Sequence, residues 1–298
     1  MRIFVTGATG FVGSAVVAEL IRAGHEVIGL ARSDEAVKFL IAAGAQVHRG
    51  DLKDFESLRN GAANADGVIH TAFNHDFSEI EDSCETDRRV IELFGSVLAG
   101  SERPLIVTSA IGILPQGHLV TEETIPASGA AANLRAASEE AAIMAGKNGV
   151  RASVIRLAPT VHGEGDHNFI PTLIRLAKEK GISAYIGEGS NCWPAVHRLD
   201  AAHLYRLVLE KGVAGSRYHA VAEEGIPFRE IAGVIGRQLN IPVVSIASEE
   251  AANHFGWFAH FASMDIPSSS QLTREQLAWQ PTQPGLIQDI SLPHYFKY

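Results

Sequence analysis

The sequence predicts a doubly wound parallel α/β sheet carrying a smaller C-terminal lobe. Short apolar runs alternate with helix-patterned stretches through the first half, a glycine loop joins the first run to the first helix, and the alternation loosens past Pro159. Ile3–Thr6 reads as the first strand, and Phe11–Ala23 has apolar residues at helical spacing until Gly24 stops it. Glu26–Ala31 is the second strand, followed by a helix that Ser33 or Asp34 caps and Gly44 ends. Ala45–Arg49, Gly67–Phe73, Leu105–Ala110 and Ala152–Leu157 continue the series. Their nearly unbroken apolar character suits strands buried on both faces.

In the second half, Asn168–Lys180 reads as a helix, Ala184–Gly187 as a short strand and Gly187–Asn191 as a turn. Leu199–Glu210 is an amphipathic helix capped by Asp200 or its neighbour. Pro227–Leu239 and Ser248–Phe261 read as further helices, and Thr273 as the cap of a last short one. The tail from Trp279, with Pro281, Pro284 and Pro293, reads as an ordered wrap. The expected division is residues 1–160 and 161–298, with about 195–222 returning to the main sheet.

Composition narrows the function. Lys plus Arg number 25 against 34 Asp plus Glu, a net charge of −9, and no basic run could cover a phosphate backbone, which argues against a nucleic-acid partner. No 18-residue apolar stretch or signal-peptide pattern appears, and Cys84 and Cys192 are too few for a disulfide framework. The expectation is a cytoplasmic protein acting on a small molecule, with no membrane partner.

Thr6-Gly7-Ala8-Thr9-Gly10-Phe11-Val12-Gly13 lies between the first strand and the first helix. In that context Gly7 permits the turn, Gly10 lets backbone approach a diphosphate, and Gly13 allows close helix–strand packing. With Thr9, Phe11 and Val12 the loop opens onto a helix N-terminus whose free N–H groups attract phosphate. A glycine turn without a ligand is the alternative. The second strand ends in Ala31-Arg32-Ser33, without the acid that usually holds a ribose 2′-hydroxyl. Arg32 and Ser33 instead suit a 2′-phosphate, which favours NADP(H) over NAD(H). Asp34 complicates this, although it fits as a helix N-terminal residue.

With Gly50-Asp51-Leu52 after the third strand, this loop resembles the short-chain dehydrogenase/reductase superfamily, specifically its extended, epimerase/dehydratase-like branch with a Rossmann-type sheet. His70-Thr71-Ala72, Thr108-Ser109-Ala110, the segment Arg156–Gly163 and Leu277-Ala278-Trp279-Gln280-Pro281 extend the resemblance over nearly the whole chain. It implies that Asp51 and Leu52 flank the adenine, that Ala72 and Phe73 lie along the cofactor, and that Pro159, Thr160 and Val161 approach the nicotinamide. That branch reacts through a Ser or Thr and a Tyr-x-x-x-Lys on one helix face. Ser109 is available for the first role, or is a strand-end hydroxyl bonded to backbone. Aligning Ser138 with the family's serine places Arg135 and Glu139 at the tyrosine and lysine positions, and the first tyrosine of the chain is Tyr185. The sequence therefore resembles the atypical subgroup without the dyad.

Two readings of Arg135 and Glu139 remain open. In one they face the cleft, Arg135 polarising a carbonyl and Glu139 replacing lysine at the ribose. In the other they form an exposed i,i+4 ion pair. His162 stands where the family has a tyrosine and is either a titrating catalytic group or a packed polar one. His75, Phe169, Trp193 and His197 are candidate substrate contacts, with Trp193 equally able to fill the smaller core. His254, Phe255, Trp257, Phe258, His260 and Phe261 have helical spacing and suit core or a homodimer face. His162, Asp166 and His167 lack a further ligand, so no metal is expected, and no Gly-x-Ser-x-Gly elbow supports hydrolase chemistry. The activity implied is NADP(H)-dependent oxidoreduction of a small carbonyl, imine or related electrophile. The alternatives are a cofactor-binding sensor without turnover and a nucleotide-sugar epimerase or dehydratase.

Overall fold

The computed structural model describes residues 1–127 and 133–297. Seven strands form the main sheet: β1 (Arg2–Thr6), β2 (Glu26–Ala31), β3 (Gln46–Arg49), β4 (Gly67–His70), β5 (Pro104–Ala110), β6 (Arg151–Leu157) and the late β10 (Arg217–Ala220). All pairings are parallel, in the order β10-β6-β5-β4-β1-β2-β3. The order reverses direction at β1, so the crevice beyond the carboxyl ends of β1 and β4 is the place for a ligand.

Alternation of side chains along each strand supplies both faces with core. Ile3 and Val5 of β1 enter one cluster, while Phe4 between them enters the other; Ile69 and Val68 of β4 divide in the same way. The first cluster is covered by α1 (Phe11–Arg22), α2 (Asp34–Ala42) and α7 (Arg198–Lys211), with α1 packed on α7. The second is covered by α3 (Phe55–Ala63), α4 (Ile80–Leu98) and α5 (Ala136–Lys147). The alanines of α5 let it approach α4 closely: a Cβ added at Gly95 would stand 2.9 Å from that of Ala145. Ser33 caps α2, its hydroxyl accepting from the Ala36 N–H, and Asp34 opens that helix.

The small lobe has its own core. β7 (Thr160–His162), β9 (Cys192–His197) and β11 (Glu223–Pro227) form one sheet, and β8 (Ser183–Ile186) pairs with β12 (Val243–Ile246). Helices α6 (Phe169–Lys180) and α8 (Phe228–Leu239) pack with these strands. Residues 195–197 thus belong to β9 in the small sheet, and the chain rejoins the main sheet through α7 and β10. α9 (Ala251–Phe255) and α10 (Ala259–Ala262) replace the continuous helix expected over Ser248–Phe261, because Gly256 at φ +57° breaks it. Phe255 and Phe258 point into the core while Trp257 is exposed. α11 (Gln271–Leu277) contains Thr273 rather than being capped by it, and α12 (Leu286–Asp289) lies in the tail. His197 caps α7, accepting from the Leu199 N–H at 3.2 Å, in place of Asp200.

Trp193 has no solvent exposure and packs on Phe228 at 4.9 Å, on Phe169 at 5.8 Å and on Phe258 at 6.1 Å between ring centres. The substrate-contact reading of Trp193 is therefore corrected: its ring fills the lobe's core, with the half-buried Phe169 packed beside it. Trp193→Ala is expected to lower the unfolding free energy by about 3–5 kcal/mol. A urea titration of the purified protein measures this as a lower midpoint.

Candidate functional site

At the carboxyl ends of β1 and β4 the glycine loop leaves no room for side chains. Gly7 has φ +67°, and a Cβ there would stand 2.7 Å from the Ala72 nitrogen. At Gly13 a Cβ would lie 2.0 Å from the Gly7 carbonyl oxygen. Gly10 stands at the N-cap of α1 without a side-chain cap, so first-turn N–H groups remain for an anion. Thr9 is exposed at the loop tip, and Phe11 and Val12 begin the helix. The loop is tied to β4 through Thr71, whose hydroxyl donates to the Thr6 carbonyl at 2.7 Å. These residues fit a dinucleotide diphosphate.

Around this loop the remaining cofactor candidates are distributed as follows. Arg32 is exposed just beyond β2, and Asp34 turns away to Arg49, its carboxylate 2.5 Å from that guanidinium. Asp51 accepts from the Lys53 N–H at 2.7 Å, with Leu52 half-buried beside it. Ala72 and Phe73 lie just past β4, which ends at His70 rather than at Phe73. Pro159 is half-buried, whereas Thr160 and Val161 are buried in β7, Thr160 donating to the Pro194 carbonyl.

Arg135 stands at the N-cap of α5 with its guanidinium 3.8 Å above the Phe73 ring. Nη2 donates to the Thr108 carbonyl at 3.4 Å, and Nε is buried without a partner. The Phe73 ring in turn meets His75 at 5.2 Å. His75 is solvent-accessible yet crowded by protein, which pushes its pKa below the usual value, with the Arg135 charge adding to the effect. Behind them Thr6, His70 and Asp87 form a buried chain, hydroxyl to Nδ1 at 2.6 Å and Nε2 to carboxylate at 3.0 Å. Burial alone would raise the Asp87 carboxyl; the His70 contact and the Arg135 charge hold it below the usual carboxylate range.

Glu139 does not pair with Arg135. It is 2% exposed, with Oε1 at 2.5 Å from Nη2 of Arg156 and 2.5 Å from Nε of Arg217. Oε2 accepts from Arg156 Nε and from the Ser109 hydroxyl at 3.2 Å. Both the ribose reading of Glu139 and the surface-pair reading are corrected: the carboxylate is consumed by two guanidiniums inside the fold. Ser109 is 2% exposed and shares that fate. His162 is also buried, with Nδ1 at 2.8 Å from Asp289 and its ring edge-on to His197. A catalytic exchange between His162 and a ligand in the cleft is thereby corrected; His197 caps α7 beside it. Among the described residues no His, Cys, Asp and Glu group could hold a metal, and no helix is long and apolar enough to cross a membrane.

The sequence pattern of the NAD dependent epimerase/dehydratase family matches residues 3–221. The chain belongs to that family. Its members use NAD(P), in keeping with the glycine loop. An uncharacterized protein of Schizosaccharomyces pombe is 55% identical over 298 residues, covering 99% of this chain and 100% of that one. A sterol-4-alpha-carboxylate 3-dehydrogenase (decarboxylating) of Dictyostelium discoideum is 28% identical, over 77% of this chain and 74% of that one. The crystal structure of the dTDP-glucose 4,6-dehydratase DesIV from Streptomyces venezuelae, with NAD and TYD bound, superposes with a TM-score of 0.77. It covers 98% of this chain and 95% of that one at 20% identity, a likeness of fold.

Within this epimerase/dehydratase fold, sequence reasoning missed the groups that meet the candidate residues from distant positions. Arg217 reaches Glu139 from β10, and Asp87 reaches His70 from α4. Tyr205 of α7 donates to the Thr108 hydroxyl at 2.7 Å, since that hydroxyl donates onward to the His70 carbonyl. His219 is the most sharply defined. Its Nδ1–H donates to the Ser269 carbonyl at 2.8 Å, so Nε2 faces Arg156 at 3.2 Å as an acceptor. Burial, with the Arg156 charge second, pushes its pKa down to about 3 from 6.5. The unfolded chain therefore binds a proton that the folded chain refuses, and stability from this group is complete above pH 6.5 and is lost as pH falls toward 3. Unfolding free energies between about pH 6 and pH 4 are expected to have a shallower pH slope in His219→Gln, by up to about 1.4 kcal/mol per pH unit.

Proposed function

We propose that this protein is an NADP(H)-dependent oxidoreductase of the atypical short-chain type, reducing a small carbonyl that carries or develops negative charge. The observation that carries the reading is Arg135, fixed over Phe73 and against Thr108 at the carboxyl edge of the sheet, with a buried donor unspent. It stands at the position where the resemblance places the family's tyrosine. A guanidinium does not give up its proton readily, so it acts by stabilising charge on the substrate oxygen. NADPH held at the glycine loop supplies the hydride. The proton required by the product comes from solvent at the cleft mouth, where His75 is exposed. The name of the Dictyostelium relative, a carboxylate dehydrogenase, supports an acidic substrate at this cation.

A second reading, cofactor binding without turnover, is favoured by the commitment of Glu139 to Arg156 and Arg217. It leaves α5 with no partner group to help Arg135. A panel of 3-oxo acids and neutral ketones incubated with NADPH separates the two. Oxidation of cofactor by the acids supports turnover, and tight binding with no oxidation across the panel supports the second reading.

Two measurements follow from the site. Calorimetric titration is expected to show tighter binding of NADP(H) than NAD(H), and Arg32→Ala to remove about 1.5–3 kcal/mol of that preference, the scale of a charge-assisted contact. Equal affinities in the wild type would refute the NADP assignment. Arg135→Ala is expected to lower kcat/KM by about 10²–10³ while leaving NADPH affinity nearly unchanged, and wild-type turnover in that variant would return Arg135 to a packing role.

A further inference from the structure

We infer that Arg198, at the start of α7 where the chain leaves β9, grips the dinucleotide diphosphate above the first turn of α1. This rests on the reading of the glycine loop as the dinucleotide site. Arg198 is the first residue of α7, where the chain leaves β9 and crosses back to the main sheet. Packing of α7 on α1 brings its guanidinium to the loop, 5.0 Å from the centre of the Phe11 ring. Phe11 opens α1, directly after Gly10. His167, on the segment between β7 and α6, meets the same ring edge-on at 5.8 Å.

The segment is shaped around the arginine. Gly163 has φ +135°, and a Cβ there would stand 3.0 Å from Cγ of Arg198 and 3.2 Å from Cδ. Gly165 has φ +85°, with its Cβ position 3.6 Å from Nη1. The slot is pinned from the tail: Gly163 donates its N–H to the Tyr295 hydroxyl at 3.0 Å, and that hydroxyl donates to Asp289 at 3.2 Å. Within this slot Nη1 donates to the Glu164 carbonyl at 2.9 Å. Among the described residues Nε and Nη2 have no hydrogen-bond partner and no carboxylate lies in ion-pair contact, the Glu164 charge acting on the guanidinium only from further off.

A half-buried guanidinium with two free donors and no carboxylate in contact is an unfavourable arrangement unless an anion completes it. The adjacent anion site is the first turn of α1, whose N–H groups lack a side-chain cap. The diphosphate is the part of the dinucleotide that such a turn holds, and its paired oxygens suit a planar fork of donors. The glycine loop supplies backbone dipoles, and Arg198 supplies the full charge from the start of α7.

The test is calorimetric titration of NADPH and of NADH into the wild type and into Arg198→Met, which keeps the stem packed against Gly163. The expected result is a weakening of about 10- to 100-fold, by the same factor for both cofactors because they share the diphosphate. Arg198→Lys is expected to fall between, and the binding of Arg198→Met to depend less steeply on salt. Unchanged NADPH and NADH affinity in Arg198→Met with a wild-type melting temperature would overturn the proposal while leaving the dinucleotide reading intact. A loss confined to NADPH would overturn it as well, by moving the contact to the 2′-phosphate. Should Arg198→Met fail to fold, Arg198→Gln carries the same comparison. A wild type that binds neither cofactor overturns the dinucleotide reading itself, and the proposal with it.

Discussion

The arrangement of the cleft depends on one ion pair without solvent. Arg156 and Glu139 sit at 0% and 2% exposure, and taking two charges out of water is costly unless every remaining valence is met. Here Arg217, Ser109, the Glu122 carbonyl and His219 meet them. Such a pair contributes little net stability compared with well-packed apolar residues, but its geometry tolerates few alternatives. It ties α5 to β6 and β10 at once. With α5 so fixed, the N-cap position one turn earlier is fixed too, and Arg135 is delivered to the end of β5.

Features set by local sequence were legible. Strand–helix alternation, the glycine loop and the Ser33 cap each depend on residues within a few positions, and the parallel sheet follows from them. The partners of buried charges were not. Glu139 meets Arg156 after 17 residues and Arg217 after 78, distances at which no periodicity carries information. Read locally, Glu139 has only Arg135 as a neighbour of opposite charge, and that reading failed. The same holds for Trp193, whose aromatic character suited a pocket wall as well as a core until Phe228 and Phe258 closed around it. His162 looked like a titrating group because of its place after β6; Asp289, 127 residues later, turns it inward. The helix expected over Ser248–Phe261 failed for a local reason, a single glycine in the left-handed region.

The candidate site combines a glycine loop that suits the family's dinucleotide with a sheet edge occupied by Arg135. The loop is set by absences, since no Cβ fits at Gly7 or Gly13. The edge is set by a cation held between an aromatic face and a backbone carbonyl, which is rigid on one side and open on the other. Arg198 belongs to neither lobe alone, because its side chain lies in a slot of the small lobe while its helix belongs to the main sheet.

The late position of β10 has a consequence for how the chain is made. β10 pairs with β6, yet 59 residues, including β7, β8, β9 and the helices α6 and α7, separate the end of one from the start of the other. During synthesis β6 emerges as a bare edge, long before its covering strand exists, and the contacts that close it join positions as far apart as Val154 and Arg217. Closure must wait for β7, α6, β8, β9 and α7 to be made between the two strands. The growing chain is therefore most exposed to aggregation after β6 has left the ribosome and before α7 and β10 have followed, an interval in which a chaperone has a defined edge to shield.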